Sequence, residues 1–291
     1  MLGPLLFLVY TADLHSNLEN ALINYADDST LVAAINNPNC RASVAASLNR
    51  DLARIQEWCS FWNMKLNHSK TSSLVVSRSR DINPHPHLVI GHNVIADCST
   101  LKILGVLFDS KLIFESHLRA IAASASQKLG LVRKASTIFG SSSVSMTCFR
   151  SFILPFLEYC SPVWISAAPC HLKLLDSVAN RARYFFSDLS SFNLDHRRMV
   201  STLCMFRKIF FSDDHPLSCF IPPLAEFVRE TRASNVAHQY TLVERRCNSN
   251  QYKRSFIPRT VAAWNKLPSS CFGGSLKLFK GSVNRLDCPC W

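Results

Sequence analysis

The chain lacks an apolar run long enough to cross a bilayer. Leu2–Tyr10 is apolar but falls far short of the roughly 20 residues a membrane helix needs. It has no basic stretch ahead of it, so it does not read as a secretory signal. The sequence also lacks any C-x-x-C. Of its 12 cysteines only Cys288 and Cys290 form a close pair, with no second Cys or His pair in range. That excludes the four-ligand spacing of a structural zinc site. His85, His87 and His92 share one short loop, but no cysteine or acidic residue is spaced to complete a ligand set. The other cysteines, Cys59, Cys148, Cys160 and Cys204 among them, sit in apolar stretches. They read as free buried thiols in a reducing compartment. Internal repeats and low-complexity tracts are absent. Acid is scarce: 20 Asp and Glu stand against 32 Lys and Arg.

What is present is a sizeable core and an uneven charge. Apolar residues make up 48% of 291, enough for one large domain or two smaller ones and too many for global disorder. Residues 1–110 hold 8 basic and 9 acidic residues, a net of −1. Residues 111–291 hold 24 and 11, a net of +13. The C-terminal part is therefore the candidate polyanion surface, a stronger reading than solvated helix faces alone.

The period of the apolar positions changes near residue 110. Before it, short apolar runs alternate with turn clusters, and one helix interrupts them. That helix is marked by Val44, Leu48, Leu52, Ile55, Cys59 and Trp62 on one face. Strands are expected at 72–77 and 101–108, the latter broken by Gly105. A hairpin is expected over 88–95 around Gly91-His92-Asn93. After Asp109 the spacing is helical. Phe114, Leu118, Ile121, Ala125, Leu129 and Val132 mark a first helix. Val144, Cys148, Phe152 and Phe156 mark a second, with a kink or stop at Pro155. Leu172, Leu175, Val178, Ala182 and Phe185 mark a third, with Arg181 and Arg183 pointing away from its stripe. A further break falls at 212–223, where Pro216, Pro222 and Pro223 cluster.

Between two strand-length apolar runs, 21–24 and 31–35, lies Tyr25-Ala26-Asp27-Asp28. The Asp-Asp-Ser suits a tight turn, so a hairpin holds both carboxylates at its tip. Two fixed carboxylates are what Mg²⁺ asks of a protein that also binds a phosphate substrate. The plain alternative is a surface turn that happens to contain Asp-Asp. The expected packing sets this hairpin against strand 72–77 or 101–108, with helix 41–63 on the opposite face.

The surrounding blocks resemble non-LTR, jockey-like LINE retrotransposon reverse transcriptases. They are Leu2–Tyr10 with Asp13-Leu14, the Tyr25–Asp28 box, and Trp58, Trp62, Leu66, Asn67, Lys70 and Thr71. Then come Leu104-Gly105-Val106 with Asp109, Leu154–Trp164, and Phe256–Pro268. The blocks near Trp164 and Trp264 point away from intron maturases and telomerase. The resemblance implies an α+β fold in three parts. Residues 1–110 are a partial polymerase palm, an antiparallel sheet with a covering helix. Residues 111–215 are a helical thumb, and 216–291 a mostly helical basic C-terminal region. It also implies that fingers, a first palm strand with another catalytic aspartate, a Gln-Gly pair and an endonuclease lie upstream in the family. Met1 is then expected to start a fragment or truncated copy, without activity alone.

By the same resemblance Asp27 binds Mg²⁺ directly and Asp28 supports it, the ion being expected only in a complete polymerase. Tyr25 and Ala26 lie near the primer end. Lys70 lies near the incoming triphosphate, or is equally a solvated lysine in a loop. Gly105 belongs to the strand that supports the primer terminus, or to an ordinary buried strand with a bulge. Lys128, Arg133 and Lys134 grip duplex phosphates, or are a solvated face. Trp164 and Trp264 read as core before base-stacking platforms. The implied partners are an RNA template and an RNA–DNA or DNA duplex, with no membrane. The implied residence is nucleus or cytoplasm, and the oligomeric state stays open. Two further readings remain: a non-catalytic nucleic-acid-binding remnant of a retroelement, and an unselected remnant that folds poorly.

Overall fold

Apolar stripes at helical spacing turn most of this chain into helices and leave only short strand pairs. The computed structural model describes residues 2–78, 85–139, 142–186, 193–226 and 238–286. The pair Cys288 and Cys290 lies outside them. Contacts divide the chain into two units, residues 1–102 with 109–111, and residues 103–108 with 112–291.

In the first unit, α1 (Leu2–Tyr10) precedes the antiparallel hairpin of β1 (Ala21–Tyr25) and β2 (Asp28–Val32). Helix α2 spans Arg41–Phe61. Its Ile55 and Cys59 bury with Leu14, and Leu22 of β1 packs on that small cluster. Strand β3 (Ser72–Ser73) pairs in parallel with β6 (Ala96–Asp97). Between them β4 (Val89–Ile90) and β5 (Asn93–Val94) form a hairpin turned by Gly91 and His92, with Gly91 at φ +61°. Among the described residues every sheet has two strands. The expected antiparallel sheet, in which the hairpin docks on 72–77 or 101–108, is therefore not formed among the described residues. The physical reason lies in the hairpin, whose pattern is exposed on both faces apart from Leu22, Thr30 and Leu31. It offers no continuous apolar face for a neighbouring strand to cover.

A polar tie joins α2 to the residues just ahead of β1. Asp51, on α2, is fully buried. Its carboxylate accepts from the Glu19 and Asn20 backbone N–H groups, each at 2.9 Å. It also accepts from Asn20 Nδ2 at 2.8 Å and from Arg54 at 3.1 Å. Burial works to raise this carboxyl's pKa. The hydrogen bonds from Glu19, Asn20 and Arg54 outweigh it and hold the pKa below the usual carboxylate range.

The chain enters the second unit within a hairpin, β7 (Thr100–Ile103) and β8 (Val106–Asp109). The long α3 (Glu115–Phe139) follows. Its stripe is the one read from the sequence: Phe114, Leu118, Ala125, Leu129 and Val132 are buried, with Ile121 packed beside them. The next helix is differently phased. It is α4 (Ser142–Cys148), a π turn over Phe149–Ile153, then α5 (Leu154–Glu158). Leu154 N–H donates to Phe149 O, five residues back, and Pro155 in the first turn has no N–H to give. The extra residue rotates the stripe. Phe149, Ile153 and Leu157 are buried, while Val144, Phe152 and Phe156 are exposed, contrary to the sequence expectation.

A short α6 (Ser161–Trp164) and α7 (Pro169–Phe185) complete this first core. Helix α8 (Leu194–Phe210) leaves it through Leu194 and enters a second through Met199, Val200, Leu203 and Phe206. The short α9 (Asn250–Arg254) buries no residue, and the second core adds α10 (Phe256–Trp264) and α11 (Leu276–Arg285), with Trp264 at its centre. Trp264 packs on Phe206, Phe210, Phe272 and Phe279, with ring centroids 4.8–5.9 Å apart.

Where the two cores meet, α8 buries Arg198 completely. Its Nη2 donates to Asp176 at 3.0 Å, and its guanidinium lies 5.6 Å from the Trp164 ring. Asp176 keeps 36% of its side chain in water, whereas Arg198 keeps none. This makes the two halves of the pair unequal. Asp176→Asn strands a buried cation and should cost about 3 kcal/mol, whereas Arg198→Met leaves a carboxylate that water can reach and should cost much less. Urea unfolding of both variants measures the order, and equal losses would contradict it. Asp51→Asn should also destabilise. Because its folded pKa is depressed, the Asp51 contribution is present above the ordinary carboxylate range and is lost as pH falls below about 4. Melting curves of wild type and variant should converge as the pH drops through that window.

Candidate catalytic hairpin and nucleic-acid surface

The β1–β2 register pairs Ala21 with Val32 and Tyr25 with Asp28, so Ala26 and Asp27 are the two turn residues. Ala26 sits at φ +52°, as the first residue of a II′ turn does. The sequence supplies alanine where glycine is commoner, so a β-carbon is held in the left-handed region that L-residues disfavour. Tyr25, Ala26, Asp27 and Asp28 are all exposed. Neither carboxylate makes a hydrogen bond or ion pair among the described residues. The local result is two adjacent carboxyl groups, both exposed to water.

Lys70 lies elsewhere in the first unit, exposed in a turn that Asn67 organises. The Asn67 side chain accepts from Ser69 Oγ at 2.8 Å and Lys70 N at 3.3 Å, and its carbonyl accepts from Thr71 N at 3.1 Å. That accounts for the Asn three residues ahead of the Lys in turn chemistry. No hydrogen bond or ion pair joins Lys70 to Asp27 or Asp28 among the described residues.

In the second unit Gly105 is not a bulge within one strand. Leu104 at φ +46° and Gly105 at φ +83° are the two turn residues of the β7–β8 hairpin, the left-handed pair that a I′ turn demands. Tyr159 closes over it: the ring carbon Cε1 would lie 3.5 Å from a β-carbon at Gly105, and the hydroxyl donates to Leu104 O at 2.9 Å. Two of the sequence blocks thus meet, a contact that periodicity does not reveal.

The cations of α3 are partly committed. Lys128 Nζ stands 3.8 Å from the Phe156 ring centroid, and the Arg133 guanidinium 4.4 Å from that of Phe185. Lys134 is exposed. Arg181 of α7 reaches across to Ser126 Oγ of α3 at 2.6 Å. The face is therefore cations resting on aromatic rings, charged yet ordered. Trp164 and Trp264 are fully buried, and their indole N–H groups donate to Tyr159 O and Tyr240 O at 2.8 and 2.9 Å. They are core residues. The Trp264 block closes a clamp: Asn265 exchanges hydrogen bonds of 2.9 and 2.8 Å with the backbone of Leu242.

The chain is similar to three polymerases of Drosophila melanogaster mobile elements. It is 28% identical over 203 residues to a probable RNA-directed DNA polymerase from transposon BS, covering 65% of this chain and 22% of that protein. It is 26% identical over 190 residues to that of transposon X-element, covering 62% and 20%. It is 26% identical over 184 residues to the RNA-directed DNA polymerase from mobile element jockey, covering 59% and 19%. The chain spans about a fifth of the length of the curated relatives it matches. No family model matches, and no solved structure gives a significant match. The resemblance read from the motifs and these comparisons point the same way: the chain is similar to part of the RNA-directed DNA polymerases of these mobile elements. Among the described residues no helix is long and apolar enough to cross a membrane.

The Leu104–Gly105 turn yields a test of the geometry. Gly105→Ala should cost about 1–2 kcal/mol, because a β-carbon disfavours its left-handed backbone and not because space is lacking. Tyr159→Phe should cost about 1 kcal/mol from the lost hydrogen bond to Leu104. Equilibrium unfolding in urea measures both, and a neutral Gly105→Ala would contradict the turn assignment.

Proposed function

We propose that this chain is part of an RNA-directed DNA polymerase of a non-LTR retrotransposon. Residues 1–110 serve as a palm portion, 111–215 as a thumb, and 216–291 as a basic C-terminal region. The observation that carries the reading is the pair Asp27 and Asp28, exposed and unpaired at the tip of a two-residue hairpin turn. Among the described residues no group of three or more His, Cys, Asp or Glu gathers as metal ligands. The two carboxylates suit a Mg²⁺ that draws its other oxygens from water and substrate phosphate, not an all-protein cage. When bound, the ion supplies charge neutralisation at the transferring phosphoryl group.

The chain's own residues then do the positioning. Asp27 holds the metal and Asp28 supports it. Tyr25 and Ala26 present the hairpin tip to the primer end. Lys70 adds a positive charge for the incoming triphosphate, and Gly105 lets the β7–β8 turn pass close to the primer. On α3, Lys128, Arg133 and Lys134 face an RNA–DNA or DNA duplex through its phosphates, which gives grip without base reading. A non-catalytic nucleic-acid-binding protein is the second reading, favoured by the net +13 of residues 111–291.

Two measurements separate these readings. Joined to the upstream fingers and palm of a full-length relative, the chain should extend a primed template with Mg²⁺ and triphosphates. Asp27→Asn should abolish that extension, because the metal loses a charged ligand. Extension that survives the substitution would remove the hairpin from catalysis. Separately, the full chain should bind a labelled RNA–DNA duplex with an affinity that falls steeply with salt. Replacing Lys128, Arg133 and Lys134 with Gln should flatten the plot of log K against log [salt] by roughly two to three units. An unchanged slope would make that helix face a solvated surface only.

A further inference from the structure

The second unit carries a basic pocket that the polymerase reading does not use. It is an open concavity of about 620 Å³ between α10 and the segment before it. Arg245, Lys253, Arg254 and Lys266 line it, and Glu244 is its only acidic lining residue. Among the described residues none of these four cations forms an ion pair or hydrogen bond through its side chain. Glu244 is turned to Asn265, whose Nδ2 lies 3.4 Å from its carboxylate. A fifth lining cation, Arg259, is already engaged with Asp195 at 3.6 Å and Ile165 O at 3.4 Å. Proximity to Arg254 works against its charge, after burial and against the pull of Asp195. Four like charges around one concavity repel one another, and an unpaired arrangement of this kind is stabilised by an anion that spans them.

We propose that this pocket binds single-stranded nucleic acid, its cations meeting successive phosphates and Tyr252 stacking on a base. Tyr252 lines the same pocket and is 45% exposed, beside Lys253 and Arg254 on α9. An exposed aromatic ring among unpaired cations is the combination that holds a single strand without reading its sequence. A concavity of this volume lies in the range that seats a small ligand, so it takes a nucleotide and its flanking phosphates, whereas a duplex presents a broad convex surface. The site uses residues separate from the α3 face and does not depend on the duplex assignment.

The test uses the full chain and an oligouridylate of about 12 nucleotides, within the usual span of a single-strand site. Fluorescence anisotropy from about 50 to 200 mM salt gives the slope. Joint replacement of Arg245, Lys253, Arg254 and Lys266 with Gln should flatten it by roughly three units. Tyr252→Ala should weaken binding roughly five- to a hundredfold with the slope unchanged. The α3 triple variant should leave single-strand binding intact, so failure here and failure of the duplex reading show separately. As a check that needs no variant, 4-thiouridine in the oligonucleotide should crosslink the native chain within residues 244–266. Crosslinks confined to other segments would overturn the proposal. So would an unchanged slope in the four-fold variant, or uptake of phosphatidylserine vesicles with no oligonucleotide binding.

Discussion

The second unit depends on one demand: a guanidinium buried without water must find a carboxylate. Burial pushes the Arg198 pKa down, and the opposing pull of Asp176, Asp195 and Glu158 works to support its charge. Two of its nitrogens, Nε and Nη1, have no hydrogen-bond partner among the described residues. A site like that tolerates little rearrangement, since any shift that loosens Asp176 exposes the full desolvation penalty. The neighbouring residues reinforce the same joint. Arg197 forms a two-pronged pair with Glu158, and Asp195 draws in Arg259 from α10. About one turn of α8 thus binds α5, α7 and α10 by charge, and the rest of the helix binds the second core by apolar contact.

That arrangement divides the sequence blocks into two kinds. Those around Trp164 and Trp264 build the frame. Trp164 lies against Arg198, Tyr159 secures the β7–β8 turn, Trp264 centres the second core, and Asn265 clasps the backbone of Leu242. Asn67 belongs with them as the organiser of a turn. The Tyr25–Asp28 box is of the other kind, because among the described residues its side chains pack almost nothing and make no hydrogen bond or ion pair. A residue that neither fills a core nor satisfies a donor contributes little to stability. Its place in the sequence is best explained by what it meets from outside.

Much of the helical part was legible because its code is periodic. The α3 and α7 stripes follow directly from spacing, and the hairpin at Asp27 follows from turn chemistry between two apolar runs. The misses share a cause, which is that single residues overrode the period. One π turn before Pro155 rotated the stripe over 142–158. Asp51 took a buried place in α2 that no apolar pattern predicts, because its partners are backbone N–H groups 31 and 32 residues away. Leu104 accepted a left-handed backbone that its side chain disfavours, which hid a hairpin turn inside an apparent strand. The charge imbalance was visible, but not that Lys128 and Arg133 rest on aromatic rings while Arg245 and Lys266 stand unpaired.

The two kinds of cation bear differently on binding. A cation laid on a ring has already lost part of its rotamer freedom and some of its water, so a phosphate arriving there meets a preorganised charge. An unpaired cation at a pocket rim keeps its freedom and its hydration until an anion spans it and its neighbours. The first arrangement favours a rigid partner of fixed spacing, as a duplex is. The second favours a flexible strand that can adjust its phosphates to the charges it finds. Under the two binding proposals, the same net positive charge would serve two recognition tasks, and the packing around each side chain, more than the charge itself, would decide which.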